Sequence, residues 1–517
     1  MEERDPNEGL QRGPYTVIVA AAMNASATAL AVALSLVRGV LSWRLIDPSQ
    51  LGIVRGAQLI QIYARYCHVG LIPGLNKTLP IALGRGDRVE TDRLEGVGTT
   101  AVLALGLLVS LPLLFVALFT DVRIVQASGL TLALAAGLTL VGVTSDLYRA
   151  ILRAYNQFRI VSVATLGEVV ISLPLVVVGA KLLAARGMLG GWFIAMVAAF
   201  VYLACASGFR TRLRPDIAQT VGLAAVGLPV LLVALSDQLL TTVDSLLIGH
   251  LGGSTDLGLY TPATQFSAYL WQLEGAVIAV LMPRLLTVFG EHGSLQAIRP
   301  RVRKANEAFS LLMPVAAGAL GLLGPGLVAL LLPQFANSMP PLRVLAFGAA
   351  IFGVPATAQV QLIAANQEST YVLVRLLGAA VSAVGVLYCL QAGRSLATVA
   401  AAQCLGLTVS ALALGYAAER CFGPPPRAAL RSVRLFAPVV WAALVALGAR
   451  AASGLVVPAA AAPARSLLET ALFGAVMWPL VLIAQRRTGV LTEVLNALPR
   501  RASRAGEPPA DGGDRPG

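Results

Sequence analysis

Runs of about twenty apolar residues recur from one end of this sequence to the other, and a helix needs about that length to cross the ~30 Å hydrocarbon core of a bilayer. Inside hydrocarbon every backbone N–H and C=O must be satisfied within its own helix or a closed barrel, so uninterrupted runs of this kind are helices. Fourteen are read, at 15–43, 51–83, 98–120, 125–148, 160–180, 188–209, 220–248, 257–283, 307–332, 342–364, 371–390, 395–418, 433–449 and 466–485. The chain is 57% hydrophobic and 13% charged, against roughly 25% charged in soluble domains. The expected fold class is therefore an all-α polytopic membrane protein of about 14 transmembrane helices. The opening "MEERDPNEGLQRGPYT" mixes acids with bases and lacks the basic n-region of a cleavable signal. The first span is expected to stay in the mature protein.

The net charge of +13 does not gather on one aromatic-interleaved face, as a nucleic-acid surface requires. It follows the connections instead. Arg85, Arg88 and Arg93; Arg149, Arg153 and Arg159; Arg210, Arg212 and Arg214; and Arg299, Arg301, Arg303 and Lys304 lie in alternate loops, whereas Arg44, Arg123, Lys181, Arg186, Arg343, Arg394, Arg450 and Arg465 occupy the opposite set. The first set together with the tails outnumbers the second by about three to one, the positive-inside pattern, which puts both termini in the cytoplasm. Cys67, Cys205, Cys389, Cys404 and Cys421 show no C-x-x-C spacing, so neither a disulfide framework nor a zinc site is expected.

A repeat emerges when "LVRGVLSWRLIDPSQLGIVRGAQLIQIYARYCHVG" is laid on "TVDSLLIGHLGGSTDLGLYTPATQFSAYLWQLEGA" with Gly52 over Gly258. The offset is 206 residues, and Tyr63 falls on Tyr269. The copies are spans 1–2 and 7–8, separated by an even number of crossings, so they share one orientation and are related by an axis along the membrane normal. The expected organisation is a cytoplasmic N-terminal tail at 1–14, a six-helix lobe at 15–209, a cytoplasmic linker at 210–219, a second six-helix lobe at 220–418, an additional helix pair at 419–485 and a disordered cytoplasmic tail at 486–517. A cleft between two pseudo-symmetric lobes is the natural substrate path.

Within span 2, "QLIQIYARYCHVGL" carries Gln58, Gln61, Arg65 and His68. At about 100° per residue these four share an arc of ~80°. An arginine at the centre of a span costs about 2.5–3.5 kcal/mol on the insertion scale, and such residues usually face a wet cavity or a partner. The stripe therefore marks a lumen wall, with Arg55 and Lys77 on the same broad half and Pro73 blurring the phase beyond it. The alternative is that Arg65 pairs structurally with an acid on a neighbouring helix, such as Glu168. Span 8 offers Thr264, Ser267, Trp271 and Glu274 at the corresponding places, and span 7 adds Asp237, Thr241 and Asp244 on one face, with Arg38 of span 1 aligned with Asp244. One lobe is basic at depth and the other acidic. Asp237, Asp244 and Glu274 are candidates for ion coupling, or alternatively for interlobe ion pairs.

"LSWRLIDPSQLGIV", "DSLLIGHLGGSTDLGLYTPATQF" and the following "LMPRLL" resemble the lipid-linked oligosaccharide flippases of the polysaccharide transporter family, within the superfamily that also holds multidrug extruders. The resemblance covers roughly residues 15 to 420. It implies a transporter, not an enzyme, in the bacterial cytoplasmic membrane. Such a protein flips an undecaprenyl-pyrophosphate-linked oligosaccharide to the outer leaflet by alternating access, with Arg65, His68, Arg55, Gln58, Gln61, Arg38 and Lys77 as the substrate-binding lumen. The partners implied are the lipid-linked oligosaccharide, the bilayer and other polysaccharide assembly proteins, with no cofactor beyond a proton or sodium gradient. The extra helix pair resembles that of peptidoglycan-precursor flippases. Those relatives place acids on spans 7 and 11 for a sodium site, whereas span 11 here has Arg375 and no acid. Two rivals stand beside this reading: a multidrug or cation antiporter of the same superfamily, which should have an acidic N-terminal lobe, and a membrane-embedded polymerase or ligase, which should carry catalytic groups on a long outer loop. His68, His250 and His292 sit near no paired carboxylates, and no Walker A, G-x-S-x-G or H-E-x-x-H pattern occurs.

Overall fold

The structure, a computed structural model, describes residues 14–119, 129–208, 213–292, 294–456 and 462–488. Residues 1–13 and 489–517, most of the two expected tails, lie outside it, and 486–488 continue the last helix. The described residues are helical throughout, in the order α1 (Pro14–Trp43), α2 (Pro48–Ala64), α3 (Leu71–Gly84), α4 (Arg88–Phe119), α5 (Gly129–Ala154), α6 (Phe158–Ser207), α7 (Ile217–Leu247) and α8 (Gly253–His292). There follow α9 (Leu295–Leu331), α10 (Met339–Gly353), α11 (Ala358–Ala364), α12 (Glu368–Gln391), α13 (Leu396–Arg420), α14 (Pro425–Leu435), α15 (Ala437–Val456) and α16 (Ala462–Thr488). No strand occurs among the described residues. Ten stretches among them are long and apolar enough to cross a bilayer, and some of these, 158–207 and 217–272 among them, run through a break.

Each break has a local cause. In α6 the backbone leaves the helix at Leu183 and Ala184, the latter at φ 48°. The chain doubles back so closely that a Cβ on Gly187 would lie 1.9 Å from the Gly179 carbonyl oxygen, and one on Gly191 2.5 Å from that of Leu175. Between α7 and α8 a single π turn over Ile248–Gly252 ends at Gly253, φ 85°. Span 2 is broken as well. Arg65–His68 form one 3-10 turn, Val69 sits at φ 43° and Gly70 at φ 86°, so the polar stripe does not keep its 100° phase past Ala64. The break precedes Pro73, which is the third residue of α3, where a missing N–H leaves no helical bond unmade. A β-branched residue in the left-handed region costs about 1–3 kcal/mol and persists only where surrounding structure enforces it.

That surrounding structure is α7. A Cβ on Gly70 would come within 2.8 Å of Leu228 N, one on Gly74 within 2.3 Å of Leu223 O, and one on Gly227 within 2.0 Å of Gly70 O. At the other end of the same rod α2 meets α8. A Cβ on Gly52 would lie 1.7 Å from Ser254 O, and one on Gly258 1.7 Å from Pro48 O. Residues 48 and 254, like 52 and 258, are 206 positions apart, so the contact is the same from either side, as a two-fold axis through it requires. Around this seam the largest buried cluster joins Trp43, Leu51 and Val54 of the first half to Ile248, Leu257, Tyr260 and Phe335 of the second.

The segment joining the halves is pinned to α4. Asp216 caps α7 through the Gln219 N–H at 3.0 Å and accepts from Arg93 Nη2 at 2.6 Å, while the Arg214 N–H donates to Thr100 Oγ1 at 2.8 Å. At the C-terminal end, α16 packs on α9, where Gly318 receives the Phe473 ring and Gly326 the Ser466 side chain.

Gly52→Ala and Gly258→Ala are each expected to destabilise the protein by about 1–3 kcal/mol through overpacking. Gly448→Ala, which meets nothing within 4 Å, should be neutral or stabilising by about 0.5–1 kcal/mol. Unfolding of the purified protein measures all three, and equal tolerance at the three positions would remove the seam from the account.

Candidate functional site

A cavity of about 360 Å³ opens between α1, α2, both arms of α6 and α8. Its wall carries three aromatic side chains (Trp43, Trp192, Tyr269), three amides (Gln58, Gln265, Gln272), small hydroxyls including Ser35 and Thr165, and one charged group, Arg38. Trp43 is held edge-on against Phe266, ring centres 5.9 Å apart, and its carbonyl accepts from Gln334 Nε2 at 3.1 Å. Arg38 Nη1 donates to Ser172 Oγ at 2.6 Å, and that hydroxyl donates in turn to Val169 O at 3.0 Å. No carboxylate among the described residues lies within ion-pair distance of Arg38; Glu168, the acid whose charge it feels, is bound by Arg149 Nη2 at 2.8 Å. The cavity thus presents one partly buried guanidinium held by a neutral hydroxyl. No acidic side chain lines it among the described residues.

Of the residues read from the sequence as a lumen, the structure brings Arg38 and Gln58 into this cavity. Arg65 is elsewhere. Its guanidinium forms an ion pair with Asp146 of α5, and its stem lies over Gly142, where a Cβ would stand 3.3 Å away. Asp146 also faces Arg149 Nη1 at 3.5 Å, so two arginines and two acids make a balanced chain. The acid beside Arg65 is therefore Asp146 and not the suggested Glu168. His68 Nδ1 accepts from the Gly70 N–H at 3.3 Å and closes the turn that breaks span 2. Gln61 is buried with an unpartnered amide nitrogen, and Lys77 is exposed on α3.

Arg55 is buried under the Gly52–Gly258 seam with its Nε lacking a hydrogen-bond partner, facing Asp244 and Tyr63. Asp244, 1% exposed, accepts from Tyr260 Oη at 2.8 Å and from the Ser245 N–H at 2.6 Å. Asp237 has other partners. It accepts from Arg375 Nε at 2.8 Å and from Tyr371 Oη at 2.9 Å, while the Arg375 guanidinium stands 4.2 Å over the Phe352 ring. A pocket of about 70 Å³ adjoins this group. The two aspartates share a helical face, yet seven residues separate them by about 10 Å along the axis, so they serve different neighbourhoods and form no joint site. Arg38 pairs with neither. The side chain of Glu274 lies outside the described residues. No cluster of three His, Cys, Asp or Glu that could hold a metal occurs among the described residues.

Asp146, Ser172, Trp43, Trp192, Gln265 and Gln272 are the site residues that sequence reasoning did not single out. Asp146 had a signal, an acid at membrane depth three residues before Arg149.

The class these observations define is a polytopic helical membrane protein with a polar cavity walled by α1, α2, α6 and α8. The family model described as "Polysaccharide biosynthesis protein" matches residues 96–335, just under half of the chain. Among solved structures, the fold is similar to the lipid II flippase MurJ in an inward closed conformation, with TM-score 0.62 and 15% identity over 89% of this chain and 99% of that one. It is similar to an inward-facing MATE family multidrug transporter of the MOP superfamily, with TM-score 0.59 and 15% identity over 78% and 94%. A third is a MOP superfamily transporter from Pyrococcus furiosus described as having a binding pocket of reverse polarity, with TM-score 0.56 and 14% identity over 84% and 99%. A search among curated proteins finds no match. Family match and fold agree with the resemblance drawn from the sequence.

If the Arg65–Asp146 pair is structural, Arg65→Ala should cost up to about 1 kcal/mol, since Asp146 is part exposed and keeps Arg149, and Arg65→Ala combined with Asp146→Asn should recover most of that loss. Thermal unfolding of the two variants checks it. Normal stability with lost transport in Arg65→Ala would return Arg65 to the substrate path.

Proposed function

We propose that this protein carries a lipid-linked oligosaccharide across the bacterial cytoplasmic membrane by alternating access during polysaccharide biosynthesis. The chain crosses the membrane fourteen times with both termini in the cytoplasm, and the sugar and its pyrophosphate enter the cavity between α1, α2, α6 and α8. The observation that carries this reading is Arg38, a guanidinium without an ion-pairing acid among the described residues, in a cavity otherwise lined by aromatic rings, amides and hydroxyls.

Each part has a chemical counterpart in such a substrate. A guanidinium offers a planar fork of donors to phosphate oxygens and keeps its charge at any physiological pH. Glutamine amides and serine or threonine hydroxyls donate to and accept from sugar hydroxyls. The apolar faces of Trp43 and Trp192 match the C–H face of a pyranose. A carrier of organic cations needs the opposite charge at this place. The coupling ion belongs to the same proposal: Asp237 is already matched by Arg375, which leaves Asp244, facing Arg55, as the acid whose protonation alters the charge balance between the halves.

Arg38→Ala should abolish translocation with the protein still folded, and Arg38→Lys should restore it only in part. The assay is depletion of the wild-type protein with complementation by each variant, followed by measurement of which leaflet holds the lipid-linked oligosaccharide. Accumulation facing the cytoplasm supports the reading, whereas unpolymerised units facing outward, or full activity of Arg38→Glu, would refute it. Reporter fusions after Arg214 and after Arg487 should both report cytoplasm; an outward signal from either overturns the topology without touching the substrate.

A further inference from the structure

Arg343 near the start of α10, Arg450 near the end of α15 and Arg465 near the start of α16 meet where the α15–α16 pair docks on α9. The charges that face Arg343 are Arg450, Arg465 and Glu469. Glu469 is fully buried: Arg465 Nε donates to its Oε1 at 3.1 Å and Ser453 Oγ donates to the same oxygen at 2.9 Å, while its Oε2 has no hydrogen-bond partner. Arg465 Nη2 donates to the Arg450 carbonyl oxygen at 3.3 Å, which ties the two helices together. One carboxylate thus answers three guanidinium groups. Arg343 Nε is buried with no hydrogen-bond partner.

This excess has no counterpart in the central cavity, whose walls include none of these residues. Its frame is fixed, because Gly326 admits Ser466, next in sequence to Arg465, and Gly318 admits Phe473 two turns on. Beside it the surface is apolar, with Leu330 of α9, Leu455 and Val456 of α15 and Leu467 of α16 all exposed. A cluster of arginines bordered by exposed aliphatic side chains is complementary to a group with an anionic head and a hydrocarbon tail. Guanidinium forks favour phosphate oxygens in particular.

We propose that Arg343, Arg450 and Arg465 form a second anion site, separate from the central cavity, which binds the phosphate group of a membrane lipid. The site is independent of which face of the membrane it occupies and of what the central cavity carries. Its occupant completes the hydrogen bonding of Arg343 and balances the charge that Glu469 leaves over.

The full-length protein, purified in detergent and delipidated, is titrated with phosphatidylglycerol, with phosphatidylcholine or with inorganic phosphate, and bound adducts are counted by native mass spectrometry. Phosphatidylglycerol should be retained at one site with at least tenfold higher affinity than phosphatidylcholine. Arg343→Gln and Arg450→Gln should each reduce that preference severalfold. Arg450 is exposed, so its variant tests the site even if Arg343→Gln folds poorly. Arg38→Ala should leave the preference unchanged, which separates this site from the transport reading. Equal retention of the two lipids, or a preference untouched by Arg450→Gln, overturns the proposal. Binding of inorganic phosphate that responds to the same substitutions, with no preference between the lipids, overturns the lipid assignment and leaves a site for free phosphate.

Discussion

Helix α2 touches helix α8 backbone to backbone at Gly52 and Gly258, and the relation between the two halves of the molecule hangs on that contact. Any side chain at either position would hold the helices apart by the width of a methyl group or more. The Trp43–Tyr260–Phe335 cluster packs around it, Arg55 and Asp244 face one another beneath it, and the cavity lies to one side, between α2, α8, α1 and α6. Because the contact repeats itself across a pseudo-two-fold, each half supplies the same pair of groups, a helix-start carbonyl and a glycine.

The arginines within the helical bundle divide into those with an acid and those without. Arg65 and Arg149 share Asp146 and Glu168, and Arg375 answers Asp237 while resting on Phe352. Breaking a buried pair costs more than the pair contributes, so these groups chiefly fix how helices sit against one another. Arg38 is different. Among the described residues its hydrogen-bond acceptor is a serine hydroxyl, and it borders open volume, which is the basis of the proposed anion contact.

Much of the architecture was legible because lipid enforces it: span-length apolar runs have to be helices, and basic loops alternate with sparsely charged ones. The repeat was legible through Gly52, Gly258 and the tyrosines, since a glycine needed for backbone contact has no substitute. The break in span 2 was misplaced. Pro73 drew attention, yet a proline in the first turn of a helix is harmless, and the αL conformation of Val69 is imposed by α7, which sequence spacing cannot show. Helical phase holds only as far as Ala64, one residue short of Arg65, and it could not reveal Asp146, 81 residues onward in α5. Asp237 and Asp244 were likewise joined by phase and parted by their neighbours. The cavity wall draws on four helices distant in sequence, so Trp192 and Gln265 carry no local sign of meeting Arg38.

Arg38 also bears on energetics beyond binding. A membrane holding 100 mV does about 2.3 kcal/mol of work on each unit charge that crosses it completely. With a single cationic side chain in its lining, the cavity is positive when vacant and neutral or negative once an anion has entered. In the proposed carrier the field then drives the vacant state one way, and the filled state the other way when its net charge is negative. Because the proposed carrier returns empty in the direction opposite to its filled stroke, an inside-negative potential acting on one arginine favours both strokes of outward transport when the filled cavity is net negative, and only the return when it is neutral.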